Sequence, residues 1–240
     1  MTTPADFREL RDRLENEFAS LLAPDLKANG ADRVHIVIAS ETDLTTCGEF
    51  AGLTSPHIHR WLRSYVPRWN GPSPAMLIDD ATILRDCGTW WNVESRFVAI
   101  AAHELSHIVC TPGLYARDDE QPDPPDDGSQ RLFSQSLANR EAVHSPALSD
   151  MSPRRHHEWP FLRACLHIRH RLELRGIECL MPMMLDSGFY ALSPLASYRR
   201  SLGDEPARLE SLTMTMIKHI DPPKLFSDLW IADVTNWPDV

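Results

Sequence analysis

From Glu94 to Cys110 the chain reads Glu-Ser-Arg-Phe-Val-Ala-Ile-Ala-Ala-His-Glu-Leu-Ser-His-Ile-Val-Cys, and Thr111-Pro112-Gly113 then stops the pattern. Phe97, Val98, Ile100, Ala101, Leu105, Ile108 and Val109 spread over more than one helical face, too much apolar surface for a helix lying on solvent. Such a helix has to run through the middle of a fold, with other elements packed on several of its sides. Two histidines and a glutamate, His103, Glu104 and His107, lie in this same segment. Burying them is costly unless something satisfies them.

The rest of the chain supplies elements to surround that helix. Residues 5–23 place Phe7, Leu10, Leu14, Phe18, Leu21 and Leu22 at helical spacing, with charges on the opposite face. Val34 to Ala39 is a short β-branched run, and Ala75 to Asp79 reads as a second buried strand. His57 to Tyr65 is expected to form a short helix, followed by a Pro- and Gly-punctuated loop from Pro67 to Pro74. Glu158 to Arg175 reads as another helix, with Pro160 in its first turn and Gly176 at its stop. Between the two strong helices, residues 111–153 form a long segment rich in Pro, Asp, Gly and Ser, with a helical stretch expected within Ser129 to Val143. Further helices are expected near 195–202 and 205–219, before the Pro222-Pro223 break. The expectation is a single α+β domain over residues 1–240. Helices dominate it, a small sheet forms around 34–39 and 75–79, and 176–240 is a helical C-terminal portion.

Composition narrows the classes. With 42% hydrophobic and 24% charged residues over 240 positions, the chain is neither disordered nor a coiled coil. No run approaches the ~20 apolar residues of a membrane helix. Met1 to Glu9 has neither a basic nor an apolar signal region, so a cytoplasmic location is expected. The five cysteines are widely spaced and include no CxxC pair, which argues for free thiols and against a zinc ribbon. A net charge of −10 argues against non-specific nucleic-acid binding, although Arg154 to Arg175 forms a local basic stretch.

Chemistry is concentrated in His103-Glu104-Leu105-Ser106-His107, an HExxH arrangement. Residues four apart on a helix face the same way, so both imidazoles can bind one tetrahedral ion. Glu104, beside them, can take a proton from a water that zinc has acidified towards a pKa of ~7. The pattern resembles the zincin metallopeptidases. That resemblance implies peptide-bond hydrolysis of a peptide or protein substrate, a Zn²⁺ ion and a third protein ligand further along the chain.

The metzincin form is excluded, since Cys110 and Gly113 stand where it needs Gly and His. Glu141 would serve in a gluzincin-like arrangement. His157-Glu158-Trp159-Pro160-Phe161 is similar to the ligand-bearing element of SprT-like metallopeptidases, with Glu158 where a Gly is usual. His157 therefore ranks first, His156 second and Glu141 third. His167 and His170 are expected to be surface or hydrogen-bonded residues. Arg163 is expected to contact substrate or to pair with an acid of the 117–127 loop. Tyr190 and Tyr198 are candidates for an oxyanion donor, with core packing the plainer reading for each. The alternative function is a catalytically inactive zincin scaffold that binds or regulates, in a DNA- or phage-related process, through the basic 154–175 helix. A purely structural zinc site is disfavoured, because such sites use four protein ligands, several of them cysteines.

Overall fold

The computed structural model describes residues 4–235 apart from 43, 47–50, 55, 68, 70, 88–89, 112–113, 116–131, 134–140, 143–156, 181–183 and 185–194. The fold is α+β and mostly helical, with a small sheet against the central helix. Helices α1 (Pro4–Leu21) and α2 (Ala23–Ala28) precede strand β1 (His35–Ile38). Two-residue strands β2 (Leu44–Thr45) and β3 (Gly52–Leu53) follow, then α3 (Pro56–Ser64), β4 (Ala75–Ile78) and α4 (Asp80–Asp86). The central helix is α5 (Trp90–Cys110).

The main sheet runs β1-β4-β3. β1 and β4 are parallel, with His35 opposite Ala75 and Ile38 opposite Ile78. β3 is antiparallel to β4, with Gly52 opposite Ile78. Every residue of β1 and β4 is buried, because helices cover both faces. The period of two sends Ile36, Ile38, Met76 and Ile78 to the large core shared with α1 and α5. Val37, Ala75 and Leu77 go to a smaller core with Ile58 and Leu62 of α3.

Side chains pin the ends of this sheet. Asp79 caps α4 by accepting the Thr82 N–H at 3.1 Å, and its other oxygen accepts from the Thr46 backbone N–H at 3.0 Å and hydroxyl at 2.7 Å. The Asp79 N–H reaches the Ala51 carbonyl at 2.9 Å, so the chain leading into β3 is tied to the end of β4. At the other edge, the Ile36 N–H donates to the Glu15 carboxylate at 2.7 Å.

Beyond α5, the described part of residues 111–153 includes β5 (Leu132–Phe133) and β6 (Glu141–Ala142). They build a second sheet in the order β2-β6-β5. The helix expected within 129–143 is therefore replaced at these positions by strand pairing; without breakers a polar stretch still takes the partner that tertiary contacts offer. Helix α6 (Trp159–Glu173) packs against α5, and Gly176, at φ +74°, ends its C-terminal turn. The C-terminal helices are α7 (Leu195–Leu202), α8 (Glu205–Arg208), α9 (Met214–Ile217) and α10 (Lys224–Thr235). The helix expected over 205–219 is thus two short turns, and α10 forms beyond the proline pair. Among the described residues no helix is long and apolar enough to cross a membrane.

Candidate metal centre

Helix α5 is lined by Ala101, Ala102, Leu105, Ile108 and Val109, all buried, and this apolar wall holds the HExxH residues inside the protein. His103 is 7% exposed and Glu104 5%. His107, one turn on from His103, is half-buried. The third participant arrives from α6. Glu158 occupies its N-cap, with its carbonyl accepting from Phe161 at 3.0 Å and Leu162 at 3.2 Å, and Pro160 fits the first turn. His157, just ahead of that cap, is delivered to the face of α5.

The Nε2 atoms of the three histidines converge. His107 Nε2 lies 3.2 Å from His103 Nε2, and His157 Nε2 lies 3.3 Å from it. The ligand atoms of all three fall within 4.8 Å of one another, the spacing of a group that could hold a metal ion. The donor chemistry fits. Imidazole nitrogens bound at ~2.0–2.1 Å around a tetrahedral ion stand about 3.3 Å apart. His103 Nδ1 is 2.7 Å from the Met184 carbonyl oxygen. A carbonyl only accepts, so Nδ1 carries the proton and the Nε2 lone pair points into the cluster. Nitrogens gathered in this way could hold a cation between the three. The Phe161 ring packs on the group, with centroids 5.0 Å from His103, 4.3 Å from His107 and 4.7 Å from His157.

Glu104 lies beside this cluster, beneath β3. Burial pushes its carboxyl up to about 8, against a smaller opposing pull from a hydrogen bond donated by the Thr54 backbone. The strand is in contact with it. A methyl group on Gly52 would stand 3.0 Å from both Cγ and Oε1 of Glu104 and 2.4 Å from Cγ2 of Ile100. Only glycine lets β3 approach so closely.

Of the ranked third ligands, His157 is the one that the structure brings to His103 and His107. Glu141 falls in β6, paired with Leu44. His156 and Tyr190 lie outside the described residues. Tyr198 is a core residue whose hydroxyl donates to Asp233 at 2.6 Å. Arg163 corrects the sequence expectation. It is 1% exposed, its Nε donates to Glu205 at 2.8 Å, and its Nη1 donates to the carbonyls of Ile217, at 2.9 Å, and Ile220. It is enclosed between α6, α8 and α9, with Glu205 as its acidic partner among the described residues, and the 117–127 acids lie outside those residues. His167 joins the same group, with Nε2 2.8 Å from the Glu205 carboxylate. The basic surface expected over 154–175 is also reduced, since Arg163 and Arg171 point inward and are buried. Arg154 and Arg155 lie outside the described residues.

Sequence reasoning missed Gly52, Thr54, Met184 and Glu205. Gly52 gave only a weak signal as a glycine near apolar residues, and the others act through contacts made far along the chain. The described cysteines Cys87, Cys110, Cys165 and Cys179 are free thiols, as expected. No protein-family model, curated protein or solved structure matches this chain, so the functional reading rests on the geometry of this site.

Proposed function

We propose that this chain is a zinc-dependent metallopeptidase of the zincin type, as its HExxH helix suggests, with His103, His107 and His157 as the zinc ligands. The observation that carries the reading is the convergence of three Nε2 atoms beside a buried carboxyl. Three protein nitrogens leave a fourth position for water or substrate, the pattern of a catalytic rather than a structural site. When bound, zinc supplies Lewis acidity that polarises a carbonyl and acidifies water.

The chain's own residues supply the rest. Glu104 takes a proton from the attacking water on its carboxylate and returns it to the leaving amine. Burial favours the protonated form that results, and the hydrogen bond from the Thr54 backbone favours the carboxylate that takes the proton. The Thr54 backbone and the close approach of Gly52 restrict where the carboxylate can sit. β3 is an edge of the main sheet, so an extended peptide laid along it would pass close to Glu104. Phe161 and the apolar wall of α5 exclude bulk water from the buried side of the cluster.

The deciding experiment is elemental analysis of protein prepared without added zinc, on wild type and His157→Ala, followed by a peptide-hydrolysis screen with Glu104→Gln as control. The reading expects about one zinc per wild-type chain, lost or much weakened in His157→Ala. It also expects hydrolysis that disappears in Glu104→Gln. Absence of metal after zinc is offered would overturn it. Bound zinc with no hydrolysis of any peptide would favour the inactive binding scaffold instead. A cytoplasmic location accords with the free thiols among the described cysteines.

A further inference from the structure

Three arginines of α6 reach backbone carbonyls elsewhere in the chain, and each holds a different segment. Arg163 holds residues 217 and 220, and Arg171 holds the carbonyls of Leu209, at 3.4 Å, and Leu212, at 2.7 Å. Arg169 donates from Nε to the Cys179 carbonyl at 2.9 Å. Its Nη2 is 2.5 Å from the Glu173 carboxylate one turn on, which fixes the direction of the guanidinium.

The segment that Arg169 holds differs in what it carries. After Gly176 the chain reverses, with the Ile177 N–H bonded to the Leu172 carbonyl at 3.0 Å. The Met184 N–H bonds the Leu180 carbonyl at 3.0 Å. The Cys179 and Met184 sulfurs meet at 3.8 Å in the core, and the Met184 carbonyl accepts from His103 Nδ1.

We propose that Arg169 is a positioning residue for the metal centre, holding the chain at Cys179, which meets Met184 through its sulfur, so that the Met184 carbonyl fixes the tautomer and ring orientation of His103. The inference rests on the metal-centre reading above. A group hydrogen-bonded to the far nitrogen of a metal-binding imidazole holds it ready for the ion, and losing such a partner weakens metal affinity about 10- to 100-fold.

The test is a competition titration of Zn²⁺ against a chromophoric chelator, using the full chain as wild type, Arg169→Ala, Arg169→Lys and Arg171→Ala. Thermal unfolding of each metal-free protein is recorded alongside. Arg169→Ala should weaken zinc about 10- to 100-fold, and Arg169→Lys, which keeps a donor for the Cys179 carbonyl, should recover part of the loss. Arg171→Ala should lower stability at least as much and change zinc affinity much less, because its carbonyl partners, Leu209 and Leu212, lie in another segment than Met184. Should Arg169→Ala fail to fold, Arg169→Lys against Arg171→Ala carries the same comparison. Zinc affinity unchanged in the Arg169 variants, or weakened equally in Arg171→Ala, would overturn the proposal. A wild type that binds no zinc would overturn the metal centre itself, and this inference with it.

Discussion

Two buried clusters of histidine and glutamate share the α5–α6 helix pair, and they are built on opposite principles. In one, Glu205 receives Arg163 and His167, each at 2.8 Å. Burial pushes the Glu205 carboxyl up, but the hydrogen bonds and the Arg163 charge outweigh that and hold it below its ordinary value. Burial likewise holds His167 down. An anion and a cation meet there, and carbonyls of 217 and 220 take up further donors. In the other cluster three imidazoles face one another, and burial raises Glu104 to about 8. The first cluster is held by opposite charges of the chain itself, Arg163 against Glu205, as structural networks are. The second brings together imidazole nitrogens that could hold a metal ion. Residue type alone does not separate the two; the opposite charge that Arg163 brings to Glu205 does.

The sharpest way to break this comparison is to neutralise each carboxylate without changing its shape. Glu104→Gln should reduce the proposed hydrolysis about 10²- to 10⁴-fold while zinc content stays near one per chain. Hydrolysis surviving at the wild-type rate in that variant would remove Glu104 from the chemistry. Glu205→Gln should instead leave Arg163 buried without its anion and cost about 3–5 kcal/mol of stability, read from urea unfolding. If Glu205→Gln unfolds at the same urea concentration as the wild type, the network is not the structural anchor described here.

A smaller effect is expected from Gly52→Ala. The added methyl has to displace Ile100 or lift β3 from Glu104, costing about 1–3 kcal/mol of stability. Hydrolysis should fall with it, through the rate rather than substrate affinity. An unchanged turnover number would show that the strand can shift freely above the carboxylate.

The smallest effect is a difference in pH dependence. In metal-free protein the folded state keeps the Glu104 proton up to about 8, whereas the unfolded chain releases it near 4.5. Glu104 therefore makes stability fall as pH rises from about 4.5 to 8. Glu205, held below its ordinary value, contributes stability above that value and loses it as pH falls. Urea unfolding of metal-free wild type and Glu104→Gln at several pH values should show the variant gaining on the wild type as pH rises. A flat difference would mean that Glu104 is not penalised by burial.

Much of this was legible in the sequence, for identifiable reasons. The α5 helix announced itself because its apolar residues exceed what one face can expose, and HExxH is a local pattern on that helix. β1 and β4 were legible as short apolar runs, and α6 through Pro160 and Gly176. His157 was reachable as a histidine placed ahead of a helix start. The remainder depended on contacts across the fold. Arg163 looked like a surface cation in a basic stretch, and only the folding of Glu205 against α6 turns it into a buried pair. Met184 acts through its carbonyl, a group that every residue possesses, so no residue type could mark it. β3 is two residues long, below the length at which alternation can be read. β5 and β6 were not read as strands because the partner that β6 takes, β2, is far away in sequence.

The Glu15 carboxylate on the Ile36 N–H has a consequence for how this sheet meets other molecules. A carboxylate cannot propagate a ladder, so it acts as a stopper where an incoming strand would have to bond. Pairing between copies is thereby steered from β1 to β3, the edge that lies over Glu104. A strand pairing with this sheet at β3 would therefore lie over Glu104.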